Sequence, residues 1–157
     1  MKITLNQLKK KDASIDGLKW FEDTFENQAE HTKIIKQLEK EKDSHDWILW
    51  LFRNFKLSGI CRGWYSNGTK HYKQHYKNGK GHGIYIGWRS NGNKAFEYNF
   101  KNGDRHGISI VYDYNGNKSY EHNYKNGKLH GICTTYYFNG NKSYKDHYKN
   151  GKEIKEV

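Results

Sequence analysis

Three histidines, His82, His106 and His130, each precede a glycine and recur every 24 residues. Histidine is the commonest metal ligand and a usual general base, so such a row suggests a metal site or ribonuclease chemistry. Spacing argues against both. If each period is one hairpin, successive histidines lie about 10 Å apart, whereas the ligands of one zinc stand within about 2.1 Å of it. The histidines are therefore expected to serve the turns. His71 and His75, four strand residues apart, are separated by about 13 Å and share no metal either. No Ser-His-Asp set, framed pair of carboxylates or phosphate-binding loop occurs in the chain. The reading is a non-enzyme with no metal site and no cofactor.

Two other residue types recur with the same period. Lysine stands at Lys70, Lys94, Lys118 and Lys142, and again at Lys77, Lys101, Lys125 and Lys149, always beside an Asn-Gly turn. Between them run aromatics: Trp64, Trp88, Tyr112 and Tyr136; Tyr72, Phe96, Tyr120 and Tyr144; Tyr76, Phe100, Tyr124 and Tyr148. Basic rows flanking aromatics are what single-stranded nucleic-acid platforms use. The same rows also solvate a sheet and discourage edge-to-edge association. Tyr and Trp anchor protein interfaces as well, which makes the first two aromatic rows the candidate partner-binding residues.

The elements that carry these residues follow from the repeat. From Ser58 the chain divides into SGICRGWYSNGTKHYKQHYKNGKG, HGIYIGWRSNGNKAFEYNFKNGDR, HGISIVYDYNGNKSYEHNYKNGKL and HGICTTYYFNGNKSYKDHYKNGKE. A fixed period of this length signals an array of supersecondary units, each buried against its neighbours. Asn-Gly pairs between aromatic-rich runs are the strongest short-range hairpin signal, so each unit is a β-hairpin and four units give about eight antiparallel strands. A three-residue first loop would pair unit position seven with fifteen. That register puts Ile60, Ile84, Ile108, Ile132 and all twelve aromatics on one face. It leaves position four (Cys61, Tyr85, Ser109, Cys133) and position eighteen (His75, Asn99, Asn123, His147) on a solvated one. Cys61 and Cys133 then stand about 29 Å apart and remain free thiols.

Residues 1–57 read differently. Ser14, Asn27 and Ser44 each precede helical apolar spacing, predicting two or three short helices. The last of them, rich in Trp, Leu, Ile and Phe, is too apolar to face water and is expected to cap the first strand. The expected division is a helical cap over 1–57 and a repeat sheet over 58–157, an α+β chain with a single-layer antiparallel meander. Of the net charge of +11, +1 belongs to residues 1–57 and +10 to residues 58–157. An excess of that size attracts polyanions. No run approaches the roughly 18 apolar residues of a membrane span, which with the two cysteines outside any CxxC spacing predicts a cytoplasmic protein.

The pattern GI, aromatic, NGNK, aromatic, YKNGK, HG resembles the variant MORN repeat of bacterial proteins, antitoxin components among them. The N-terminal segment is similar to small helical modules that precede repeat arrays in bacterial and phage-borne proteins. The resemblance implies binding or scaffolding without catalytic residues. The expectation is a regulatory protein that docks on and neutralises a protein or ribonucleoprotein partner, as an antitoxin or an inhibitor of a defence nuclease such as a CRISPR effector would. The alternative is direct RNA or single-stranded DNA binding. A long terminal strand edge also makes a homodimer an expectation.

Overall fold

The computed structural model describes residues 1–41 and 45–154. The N-terminal part runs β1 (Lys2–Thr4), α1 (Leu5–Lys9), α2 (Ile15–Phe25), β2 (Gln28–Glu30), α3 (His31–Leu38) and α4 (His45–Asn54). A capping box starts α1: Thr4 Oγ1 accepts from Gln7 N at 3.2 Å, and Gln7 Oε1 accepts from Thr4 N at 2.9 Å. Ser14 caps α2 by accepting from Gly17 N at 3.3 Å. Asn27, expected to cap the next helix, does not. Residues Gln28–Glu30 instead pair with Lys2–Thr4, burying Ile3 and Ala29, and the helix begins at His31. Ser44 lies outside the described residues. Leu8, Phe21, Ile34, Leu38, Ile48, Leu51 and Phe52 form the core.

The repeat part is an antiparallel meander: β3 (Gly59–Trp64), β4 (Lys70–Lys77), β5 (Lys80–Trp88), β6 (Lys94–Lys101), β8 (Gly107–Tyr112), β9 (Lys118–Lys125), β11 (Gly131–Tyr136) and β12 (Lys142–Lys149). The short strands β7 (Asp104–Arg105), β10 (Lys128–Leu129) and β13 (Lys152–Glu153) complete it. The left-handed glycines Gly107 and Gly131, φ +85° and +89°, open β8 and β11, and their counterpart Gly83, φ +78°, lies within β5. The fold is the expected α+β arrangement of a short helical part and a large open antiparallel sheet.

The register differs from the expected one. The first loop of each unit does hold three residues, with Gly68 in the left-handed position at φ +81°, but it spans Ser66 to Gly68: Tyr65 N donates to Thr69 O at 2.8 Å. A bulge between Gly63 and Trp64 then shifts the ladder, so Trp64 faces Lys70 while Gly63 faces Tyr72 and Ile60 faces His75. The same shift recurs at Gly87/Trp88, Val111/Tyr112 and Thr135/Tyr136. Directly opposed residues share a face and neighbours along a strand alternate, so positions four, fifteen and nineteen lie together, while positions seven and thirteen lie with isoleucine on the other face. Cys61, Ser109 and Cys133, expected on a solvated face, are buried, while Ile84, Ile108 and Ile132 are exposed. Position eighteen is not merely solvated either: Asn99 and Asn123 Nδ2 donate to Ile108 O and Ile132 O, both at 2.8 Å, tying each unit to the next.

The second turn of each unit is a two-residue type I′ loop, with both central residues at positive φ (Asn78 +51°, Gly79 +75°). Helix α4 packs on the first unit, placing the Phe52 ring 4.9 Å from that of Tyr76.

Candidate binding surface

The fifteenth-position aromatics share a strand position yet differ steeply in exposure. Tyr72 is 3% exposed and its hydroxyl lies 3.5 Å from Cys61 Sγ, whereas Tyr120 is 45% and Tyr144 59% exposed. The residue opposite accounts for the difference. Gly63 and Gly87 face Tyr72 and Phe96, and a Cβ on them would stand 2.0 Å and 2.4 Å from the ring, so each ring lies flat on bare backbone. Val111 and Thr135 face Tyr120 and Tyr144 and occupy that space with side chains. The helical module further covers Tyr72 and Tyr76. Burial therefore takes Tyr72, an expected anchor, out of reach of a partner. Beside Tyr120 and Tyr144, Tyr114 and Phe138 near the first-turn loops are 77% and 86% exposed. Sequence reasoning passed over those two because position nine holds serine in the first two units; the change from Ser66 and Ser90 to Tyr114 and Phe138 was the signal.

The two lysine rows sit at opposite ends of the strands and differ in surroundings. On the first, Lys70 Nζ stands 5.8 Å from the Trp88 ring and Lys94 Nζ 6.0 Å from the Tyr112 ring, so each lysine covers the seventh-position aromatic of the following unit. Lys94 also pairs with Glu97 at 2.8 Å, and Lys118 pairs with Glu121. Hydrogen bonds to those carboxylates hold both ammonium groups above the usual lysine range. Arg89 lies 4.7 Å over the Tyr114 ring and donates to Tyr112 O at 2.7 Å. The second row, Lys77, Lys101, Lys125 and Lys149, is exposed and takes part in no ion pair among the described residues.

His82 and His130 brace turns: their Nδ1 atoms accept long hydrogen bonds from Asn102 N at 3.5 Å and Asn150 N at 3.4 Å. No group of three His, Cys, Asp or Glu among the described residues is placed to hold a metal ion. Cys61 and Cys133 are free and buried, and burial pushes the Cys61 thiol up to about 11. Burial and the nearby Arg105 hold His122 below the usual histidine range.

The hairpin period, the Asn-Gly turns and the aromatic positions agree with comparison to known families. The MORN repeat variant matches residues 57–78, 105–126 and 129–150, and the YdhT N-terminal domain matches residues 1–56. The chain carries MORN repeats behind a YdhT-type N-terminal domain. The resemblance read from the repeat sequence is borne out. The hairpin of β5 and β6, between the first two matches, has the same register and turns as the matched units. No curated protein matches the chain. A crystal structure of an S. aureus TarM mutant in complex with fondaparinux, alpha-GlcNAc-glycerol and UDP aligns over 96% of this chain. That alignment covers 31% of the TarM chain at 13% identity, with a TM-score of 0.39, and carries no argument about fold or activity. The MORN repeat is generally a binding module, and no helix among the described residues is long and apolar enough to cross a membrane.

Proposed function

We propose that this MORN-repeat protein is a non-enzymatic regulatory binding protein that docks on a protein or ribonucleoprotein partner and neutralises it. Such a role would be antitoxin-like, or that of an inhibitor of a bacterial defence nuclease such as a CRISPR effector. One observation carries the reading: the aromatic face is closed in the first unit and open in the third and fourth, where Tyr120 and Tyr144 stand exposed on the strands and Tyr114 and Phe138 near the first-turn loops. Exposed aromatics in one region mark interaction sites, and tyrosines are frequent anchors. Trp64 and Trp88, like Tyr112 and Tyr136, lie on the isoleucine face, away from that surface.

The test is affinity capture from the host lysate with and without nuclease, using the wild-type chain, a Tyr120→Ala/Tyr144→Ala variant and a Trp64→Ala variant. A protein retained by the wild type after nuclease, lost by the double variant and kept by Trp64→Ala supports the reading. Retention of the same proteins by all three chains sinks it.

A further inference from the structure

The second lysine row belongs to a larger feature. Each type I′ turn reads Lys-Asn-Gly followed by unit position twenty-three: Lys80, Asp104, Lys128 and Lys152. In the ladder Lys77 faces Lys80, Lys125 faces Lys128 and Lys149 faces Lys152; only Lys101 faces an acid, Asp104. Lys56 takes the equivalent place ahead of the first unit. These lysines are all exposed and enter no ion pair among the described residues. Successive turns also stack. The Lys80 Cβ and Cδ lie 3.9 Å and 4.0 Å from where a Cβ on Gly103 would stand, and Lys128 bears the same relation to Gly151.

Like charges directly opposed across two strands destabilise a sheet. This fold tolerates that repulsion in the first, third and fourth units, whereas at the other end of the strands Glu97 and Glu121 neutralise the lysines of the second and third. Folding alone gives no reason for the asymmetry; a polyanion laid along the turns does. Turns about 10 Å apart present a row of paired positive charges some 30 Å long. The positive-φ asparagines Asn78, Asn102, Asn126 and Asn150 add amide donors at each apex. The twelve repeat aromatics lie within the strands rather than in these turns, so the edge offers charge and hydrogen bonds but no stacking.

We propose that this turn edge binds the phosphate backbone of single-stranded nucleic acid, independently of base sequence. A flexible single strand can follow the row around the twist of the sheet, whereas a duplex presents its phosphates on a fixed helix. The proposal does not rest on the aromatic docking face, whose residues are left intact in its test.

The probe is a fluorescein-labelled oligouridine of about 30 nucleotides, titrated with the full chain by fluorescence anisotropy across a salt series. One variant removes three edge charges, Lys77→Gln, Lys125→Gln and Lys149→Gln. A second, matched in net charge, carries Lys70→Gln, Lys94→Gln and Lys142→Gln. The edge variant is expected to lose at least about tenfold in affinity at 0.1 M salt, and its slope of log affinity on log salt to shrink by about 2, while the matched variant stays within about threefold of wild type. The edge variant should melt no lower than wild type, because repulsion is relieved. The proposal is overturned if oligouridine does not bind, if both variants lose affinity equally, or if polyglutamate competes as well as oligouridine. A duplex bound as tightly through the same lysines overturns the single-strand assignment.

Discussion

The carbonyl oxygen of Leu57 accepts a 2.8 Å hydrogen bond from Gly79 N. The same bond joins every later pair of units: Gly103 N to Gly81 O, Gly127 N to Arg105 O and Gly151 N to Leu129 O, at 2.8, 2.9 and 2.8 Å. Leu57 thus stands where the last residue of a preceding repeat would stand. The helical module caps the array by presenting one residue of repeat geometry, then burying the first unit's rings against Phe52.

That junction distinguishes two turn glycines of similar backbone. Gly79 and Gly92 have φ of +75° and +88°, but a Cβ on Gly79 would lie 2.9 Å from Phe52 O, whereas one on Gly92 meets nothing within 4 Å. Gly92→Ala should cost about 1 kcal/mol of left-handed strain, and Gly79→Ala at least about 1 kcal/mol more. Urea unfolding of the two variants checks the difference. Equal midpoints would mean that α4 is not seated against the first turn.

The glycine under each ring makes a second contrast. Gly63→Ala drives a methyl into Tyr72, held beneath the module, and should destabilise by about 1–3 kcal/mol. At Gly87 the opposing Phe96 is only half-buried and can swing outward, so Gly87→Ala should cost less than about 1 kcal/mol. Its signature would be gained binding of a hydrophobic dye, as another ring joins the open face. A dye response unchanged from wild type would show that Phe96 has stayed down.

Much of this was legible in the chain. Period, turns, hairpins and the capping role of residues 45–54 follow from Asn-Gly spacing and apolar pattern. The register was not, because a bulge at Gly63/Trp64 has no compositional mark where Val111 and Thr135 later take the glycine's place. One added residue reversed the faces, sending isoleucine outward and Cys61 inward. The two-stranded sheet of β1 and β2 was missed for another reason: three-residue strands are set by burial of Ile3 and Ala29, and three residues show no periodicity.

Exposure and acidity together order the tyrosines for nitration by tetranitromethane, which attacks the phenolate. Tyr114 should react first, as the most exposed of the repeat tyrosines. Tyr144 is also open, but its hydrogen bond to Asp146 raises its pKa, so it should lag behind Tyr114 at pH 8. Tyr72 and Tyr76, buried and raised chiefly by burial, should remain unmodified in the native chain. Mass spectrometry of peptides over time reads the order, and early nitration of Tyr76 would contradict the seating of α4.

Alkaline titration tests the burial of Cys61 from both the kinetic and the equilibrium side. Its thiol is pushed up to about 11, chiefly by burial, from an ordinary value of 9.0. Because the thiolate is the reactive species, only about one molecule in a thousand is reactive at pH 8, and alkylation should accelerate about tenfold per pH unit up to pH 10. The native state holds this proton more tightly than the unfolded chain does. The stabilisation is therefore complete below pH 9 and is lost as pH rises toward 11, with about 1 kcal/mol disappearing between pH 9 and 10. Tyr76, pushed up to about 12, acts in the same direction from about pH 10 upward. Urea unfolding of the wild type at pH 8, 9 and 10 should show that fall, and Cys61→Ala, though less stable at pH 8, should fall by about 1 kcal/mol less between pH 9 and 10, keeping only the smaller loss from Tyr72 and Tyr76. A wild-type stability that stays level from pH 9 to 10 would mean the thiol is not sealed between the sheet and the module.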